Sequence, residues 1–175
     1  MPDTAPVIEV RAAVPADARD VASVQLRSWQ SAYRGLIAQG YLDGLTPELF
    51  AGRYTFGRVG LRLPSTVVAV DGPAIRGFAT TGLCREADPP NFGELMAIYV
   101  DPAHVRAGVG RSLMAAARAR LRLLGVAGAV LWVLEGNVSA RRFYERDGWR
   151  CDGACRTVTF GDSPVRQLRY RRAPV

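Results

Sequence analysis

The chain has no lysine, and all 23 of its basic residues are arginine. That absence removes two chemistries at once, because a nucleotide P-loop needs a lysine on its phosphates and a pyridoxal enzyme needs one for its Schiff base. Histidine is nearly as scarce, with His104 alone. A Ser-His-Asp or Cys-His arrangement would have to use it, and no nucleophile motif supports that. Cysteine is limited to Cys84, Cys151 and Cys155. An odd count without a CxxC reads as free thiols in a reducing compartment, and with one histidine a zinc site lacks ligands, so no metal is expected. No apolar run approaches the roughly 20 residues that span a bilayer, and Met1 to Val10 lacks the basic-then-apolar pattern of a signal peptide. The expected location is the cytoplasm, with no membrane partner.

What is present is ordinary for a globular chain: 175 residues, 49% apolar, 22% charged. That length predicts one domain spanning 1–175, large enough to bury a core without disulfides or metal. The net charge of +7 favours an anionic partner, and coenzyme A or a nucleic acid would each qualify. The arginines, however, are scattered, with short pairs only at 141–142 and 171–172. A solvated surface fits that distribution better than a reading patch, so no nucleic acid is expected.

The chain is organised around Glu94 to Met114, ELMAIYVDPAHVRAGVGRSLM. Leu95 to Val100 is an apolar, strand-like run. Asp101-Pro102 breaks it, and Leu113, Met114, Ala117, Leu121 and Leu124 then repeat at helical spacing. Gly108 and Gly110 sit where the helix begins, leaving the backbone unshielded and the first N–H groups without intrahelical partners. Such a turn suits a pyrophosphate, because free donors and the positive end of the helix dipole converge there. A dinucleotide-binding GxGxxG does not fit. Its third glycine position is Leu113, and seven residues separate Val100 from Gly108.

Around this stretch the pattern predicts a strand at Ile8 to Ala12 and a helix opening at Pro15, with Asp17 in its first turn, running to Gly35. A second helix is expected over Thr46 to Phe56, and a hairpin from Thr66–Val70 and Ile75–Leu83 about Asp71-Gly72. Residues 85–91 form a polar loop. A buried strand follows at Ala129 to Leu134, then a helix capped by Asn137 or Ser139 and ended by Gly148, then strands at 149–160 and 164–172. The sheet is therefore mixed, and the class is α/β or α+β.

Glu94, the double-glycine turn and the later N-x-x-A-x-x-F-Y-E-x-x-G (Asn137, Ala140, Phe143, Tyr144, Glu145 and Gly148) together resemble the GNAT N-acetyltransferases. The N-terminal RSWQSAYRGL is similar to the first helix of many bacterial members, so the resemblance covers essentially the whole chain. It implies a mostly antiparallel sheet of about six to seven strands with about four flanking helices and a V-shaped splay between two central parallel strands. It also implies acetyl-CoA as co-substrate and acetyl transfer to a primary amine. The family's turn, Q/R-x-x-G-x-G/A, falls on Val105 to Gly110, so Val105 stands where Gln or Arg is usual and Arg106 follows one place later.

By the same resemblance, cofactor contacts are expected at Ile98, Val100, Arg106, Ala107, Gly108, Gly110, Arg111 and Asn137. Tyr144 matches the tyrosine that can protonate the departing sulfur, and Glu94 matches a general base of some members, eleven residues before the turn. A plain helix cap for Asn137 and a surface strand-end glutamate for Glu94 are the structural alternatives. Trp29 and Tyr33 are candidates for the acceptor pocket, or for simple packing of their helix on the sheet. Glu86, Asp88 and Glu94 are the carboxylates available for an acidic pocket that would attract a cationic amine. The alternative to an enzyme is a non-catalytic acyl-CoA sensor on the same scaffold. Family members often form homodimers, and no interface is identifiable here.

Overall fold

The structure, a computed structural model, describes residues 7–175, so most of the Met1 to Val10 segment lies outside the described residues. Seven strands make one sheet: β1 (Glu9–Ala12), β2 (Ser65–Asp71), β3 (Ala74–Leu83), β4 (Phe92–Val100), β5 (Gly128–Leu134), β6 (Arg150–Phe160) and β7 (Ser163–Arg172). They lie in the order β1-β2-β3-β4-β5-β7-β6. Every neighbouring pair is antiparallel except β4 and β5, which run parallel and are joined by a helical crossover, as parallel strands require. The mixed, mostly antiparallel α/β sheet expected from the sequence is therefore what forms.

Helices α1 (Ala18–Ala32), α2 (Gln39–Asp43), α3 (Pro47–Ala51), α4 (Val109–Leu123) and α5 (Val138–Arg146) flank it. The buried stripe of α4, Val109, Leu113, Met114, Ala117 and Leu121, packs on Ala69, Ala79, Leu95, Ala129, Leu131 and Val133. Val21 and Val24 of α1 pack with Val68, Val70 and Phe78. Alternation along the strands sends neighbouring residues to opposite layers, so both faces of the central sheet are covered.

Three local expectations change. Asp17 closes a 3-10 turn at Pro15–Asp17 rather than the first turn of α1, and its carboxylate accepts from Arg11 at 2.7 and 3.0 Å and from the Val14 N–H at 2.8 Å. The hydrogen bond from Arg11 holds that carboxyl below its usual range although burial opposes it. Asp17 thus ties β1 to α1. The second helix stops at Ala51, not Phe56. Beyond it Tyr54 stacks on Phe56 at 4.9 Å, meets Phe78 edge-on at 6.0 Å, and donates its hydroxyl hydrogen to Gln25 of α1. Tertiary aromatic packing thus overrides local helix propensity. The short α2 had no periodic signal, and its Leu42 is carried into the core by Tyr33, Ile37 and Leu134.

Gly128 starts β5 where a side chain does not fit: a Cβ there would lie 2.7 Å from the Arg172 carbonyl and 2.7 Å from the Phe92 ring. Gly40, inside α2, has nothing within 4 Å. Gly128→Ala is therefore expected to lower the unfolding free energy by about 1–3 kcal/mol, and Gly40→Ala to raise it by up to about 1 kcal/mol. Urea denaturation of the two variants beside the parent chain checks both signs.

Candidate active site

The parallel pairing of β4 with β5 covers only Phe92, Gly93 and Glu94 against Gly128, Ala129 and Val130. Beyond Glu94 the strands part. The Asp101 N–H donates to the Arg76 carbonyl at 2.8 Å, so the antiparallel alternation turns the backbone groups of Ile98 and Val100 away from β3 and into the gap. The Val100 carbonyl there accepts from Ser28 Oγ of α1 at 2.8 Å, which leaves its N–H and the Ile98 groups facing the splay. A register shift between Thr80 and Thr81 makes Met96 a bulge in β4.

At the end of β4, Asp101 anchors the turn. One carboxylate oxygen accepts from the Ala103 N–H at 3.1 Å and the other from Arg27 of α1 at 2.6 Å. Burial pushes this carboxyl up, but the hydrogen bonds and the Arg27 charge outweigh it and hold the group below its usual range. The chain then passes Arg106 at φ 65° and Gly108 at φ 84°, both left-handed. Gly108 caps α4 without any side-chain bond. Among the described residues the N–H groups of 106–111 have no acceptor; the first engaged amide is that of Ser112, on the Gly108 carbonyl at 3.0 Å. Gly110 lies against the Phe143 ring of α5, where a Cβ would sit 3.3 Å from it. Val105 is 57% exposed, and Arg106 and Arg111 are exposed with no carboxylate partner among the described residues. A helix start with free donors and two guanidinium groups is built for phosphate oxygens.

Across the gap, Asn137 is the cap of α5, its Oδ1 accepting from the Ala140 N–H at 3.2 Å; Ser139 is not used. Tyr144 is 8% exposed and packs against Phe143 and Tyr170 with centroids 5.6 and 6.3 Å away. Burial first, and the nearby Tyr99 second, push its phenol far above the usual range, so it stays protonated and has a proton to donate. Tyr33 and Tyr99 join their hydroxyls at 3.4 Å, and burial raises both phenols. Trp29 stands beside them among Tyr33, Phe50 and Phe160, its Nε1 buried without an acceptor.

Glu94 is not a surface residue. It is 4% exposed, and both carboxylate oxygens are taken by Arg85, at 2.6 Å from the terminal nitrogen and 3.0 Å from Nε, with the Arg85 N–H at 3.3 Å. Nor do Glu86, Asp88 and Glu94 form a free acidic pocket. Arg169 holds Glu86 at 3.1 Å and Asp88 at 3.7 Å, and Trp132 Nε1 donates to Glu86 at 2.7 Å. The sequence reading missed Arg85, Arg169 and Tyr99. No local spacing links them to the site; only the β3–β4 and β5–β7 registers do. A cavity of about 290 Å³ opens on the α1 face of β2–β4, with Gln25, Tyr54, Thr66, Thr80, Met96 and Ala97 among its walls. Neither Trp29 nor Tyr33 lines it. Among the described residues no group of three or more His, Cys, Asp or Glu could hold a metal, and no helix is long and apolar enough to cross a membrane.

This arrangement has known counterparts. Residues 26–149 match the Acetyltransferase (GNAT) family. The chain is 32% identical over 134 residues to an uncharacterized N-acetyltransferase, YuaI, of Bacillus subtilis, covering 76% of this chain and 75% of that one. Among solved structures it is similar to the PaiA N-acetyltransferase of Thermoplasma acidophilum in complex with coenzyme A, with TM-score 0.72, 17% identity, and 95% of this chain and 99% of that chain covered. It is also similar to YncA of Salmonella typhimurium, a putative acetyltransferase with its cofactor acetyl-CoA, with TM-score 0.68, 20% identity, and 95% and 93% covered. A splayed parallel strand pair leading to an unpaired glycine turn, and a sequence match over most of the length, have one common reading: the chain belongs to the GNAT family and is an acyl-CoA-dependent acetyltransferase.

Proposed function

We propose that this enzyme transfers the acetyl group of acetyl-CoA to a primary amine of a small molecule or a protein N-terminus, by direct attack in a ternary complex. The observation that carries the reading is the continuity of the site. Six N–H groups at 106–111, free among the described residues, lead into a gap lined by the Ile98 backbone and the Val100 N–H, with the buried phenol of Tyr144 on the following helix. Arg106, Ala107, Gly108, Gly110 and Arg111 would hold the pyrophosphate, and Asn137 would close the site from α5. Val105 presents no charge at the turn's first position. The backbone donors need no particular side chain, and Arg106, in its left-handed conformation, offers its charge to the same anion.

Aminolysis of a thioester needs a neutral amine, a polarised carbonyl and an acid for the leaving sulfur. The Ile98 N–H is the carbonyl donor, in the manner of an oxyanion hole. Tyr144, held protonated, gives its proton to the thiolate as the carbon–sulfur bond breaks and the carbon–nitrogen bond forms, and regains one from the proton that the new amide nitrogen releases. Glu94 takes the amine's proton through water only by loosening the Arg85 fork. Among the described residues no side chain is assigned as an acyl-enzyme nucleophile.

Acetyl-CoA at about a hundred times its Kd is expected to raise the unfolding free energy by about 2.7 kcal/mol; absence of any thermal shift at millimolar ligand overturns the reading. Tyr144→Phe is expected to lower kcat by about 10²-fold while acetyl-CoA binding persists. Glu94→Gln is expected to cost about tenfold or more in kcat, and Arg85→Ala to retain turnover. Steady-state kinetics on the three variants decides the roles, and unchanged kcat in Glu94→Gln assigns deprotonation to water alone.

A further inference from the structure

The cavity on the α1 face has an unusual charge balance for a protein that handles amines. Among its twelve lining residues Arg53 is the only charged one, and no carboxylate is present. Arg53 makes no ion pair among the described residues, and its guanidinium stands 5.9 Å above the Phe50 ring. It also lines the adjoining cavity of about 300 Å³ beside Tyr41 and Leu49, so it commands the shared rim. Gln25 adds a second donor. Its Oε1 accepts from the Tyr54 hydroxyl, which leaves the Nε2 hydrogens without a partner among the described residues. The Thr66 and Thr80 hydroxyls share one hydrogen bond at 2.8 Å. The other walls are apolar, Phe50, Phe56, Phe78 and Met96 among them, and the floor reaches Ala97, one residue from Ile98 on the splay.

A cavity with free donors, one uncompensated cation and apolar walls recognises oxygen anions attached to an apolar body, not a second ammonium. We propose that the acceptor is an apolar α-amino acid, its carboxylate on Arg53 and Gln25 Nε2, its side chain among the aromatic walls and its amine directed at Ala97. This rests on the acetyl-transfer reading above and narrows it, since a protein N-terminus has no α-carboxylate and a polyamine meets only like charge. In the step the amine nitrogen displaces the thioester sulfur, giving an N-acetyl amino acid and free coenzyme A thiol, and the surplus ammonium proton leaves to solvent.

The test measures thiol release with acetyl-CoA and phenylalanine, methionine or leucine, each beside its own carboxamide, with 2-phenylethylamine and spermidine as carboxylate-free amines. The expected result is a kcat/KM for at least one amino acid about tenfold or more above its carboxamide, with spermidine the poorest acceptor. Arg53→Gln is expected to collapse that ratio towards one, and Arg53→Lys to restore part of it; Arg53 is exposed, so both variants fold. Preference for the carboxamide, 2-phenylethylamine or spermidine, an unchanged ratio in Arg53→Gln, or no amino acid turnover by protein that shows an acetyl-CoA thermal shift overturns the assignment. Loss of the acetyl-CoA shift itself overturns the broader reading instead, so the two failures are distinct.

Discussion

The site depends on a parallel ladder that stops after three residue pairs. Two adjacent strands normally remain paired, because every unpaired backbone group left dry costs free energy. Here β5 follows β7 through six registered pairs from Ala129 to Leu134, while β4 follows β3 and bends at the Met96 bulge. Each strand keeps its outer partner and loses the inner one. The gap is thus a product of two complete antiparallel ladders diverging, and it presents unpaired amides without either strand being loose.

Polar contacts fix each side of the gap separately. Ser28 and Arg27 of α1 grip the end of β4 through the Val100 carbonyl and Asp101, which sets where the glycine turn begins. On the other side the Tyr170 hydroxyl of β7 donates to Glu145 of α5 at 2.8 Å and accepts from Arg141 at 3.0 Å, so the helix carrying Tyr144 is fastened to β7. Gly110 then lets α4 approach the Phe143 ring. The turn and the phenol belong to different helices, yet the first follows β4 directly and the second is tied to β7, the outer partner of β5.

Sequence periodicity made most of this frame legible, because the strands alternate or run apolar and α4 repeats at helical spacing. The hairpin, the glycine turn and the Asn137 cap depend on neighbours a few residues away, and local spacing identifies them. Arg85 and Glu94 are different. They meet because Leu83 pairs with Gly93 and the Cys84 N–H bonds to the Phe92 carbonyl, a register set by the whole β3–β4 ladder. Arg169 reaches Glu86 across 83 positions. Composition signalled excess positive charge but not which carboxylates it would consume, and that allocation is what turned an expected acidic pocket into a neutralised one.

The neutralisation bears on how an amine reacts here. An acidic pocket would concentrate ammonium ions, but it would also stabilise the protonated form and so oppose attack. In this protein Glu94 is held by Arg85 and Glu86 by Arg169, while Arg53, Arg106 and Arg111 have no acidic partner among the described residues. With Glu94 and Glu86 already paired, the site gives an ammonium little carboxylate to stabilise its protonated form. The proton is thus easier to lose than it would be in an acidic pocket, and less is demanded of any base. The same pairing weakens the hold on the amine end, so affinity must come from elsewhere on the acceptor. The donors at Arg53 and Gln25 and the apolar walls provide it. Recognition is thereby assigned to the end of the molecule that does not react, and activation to the end that does.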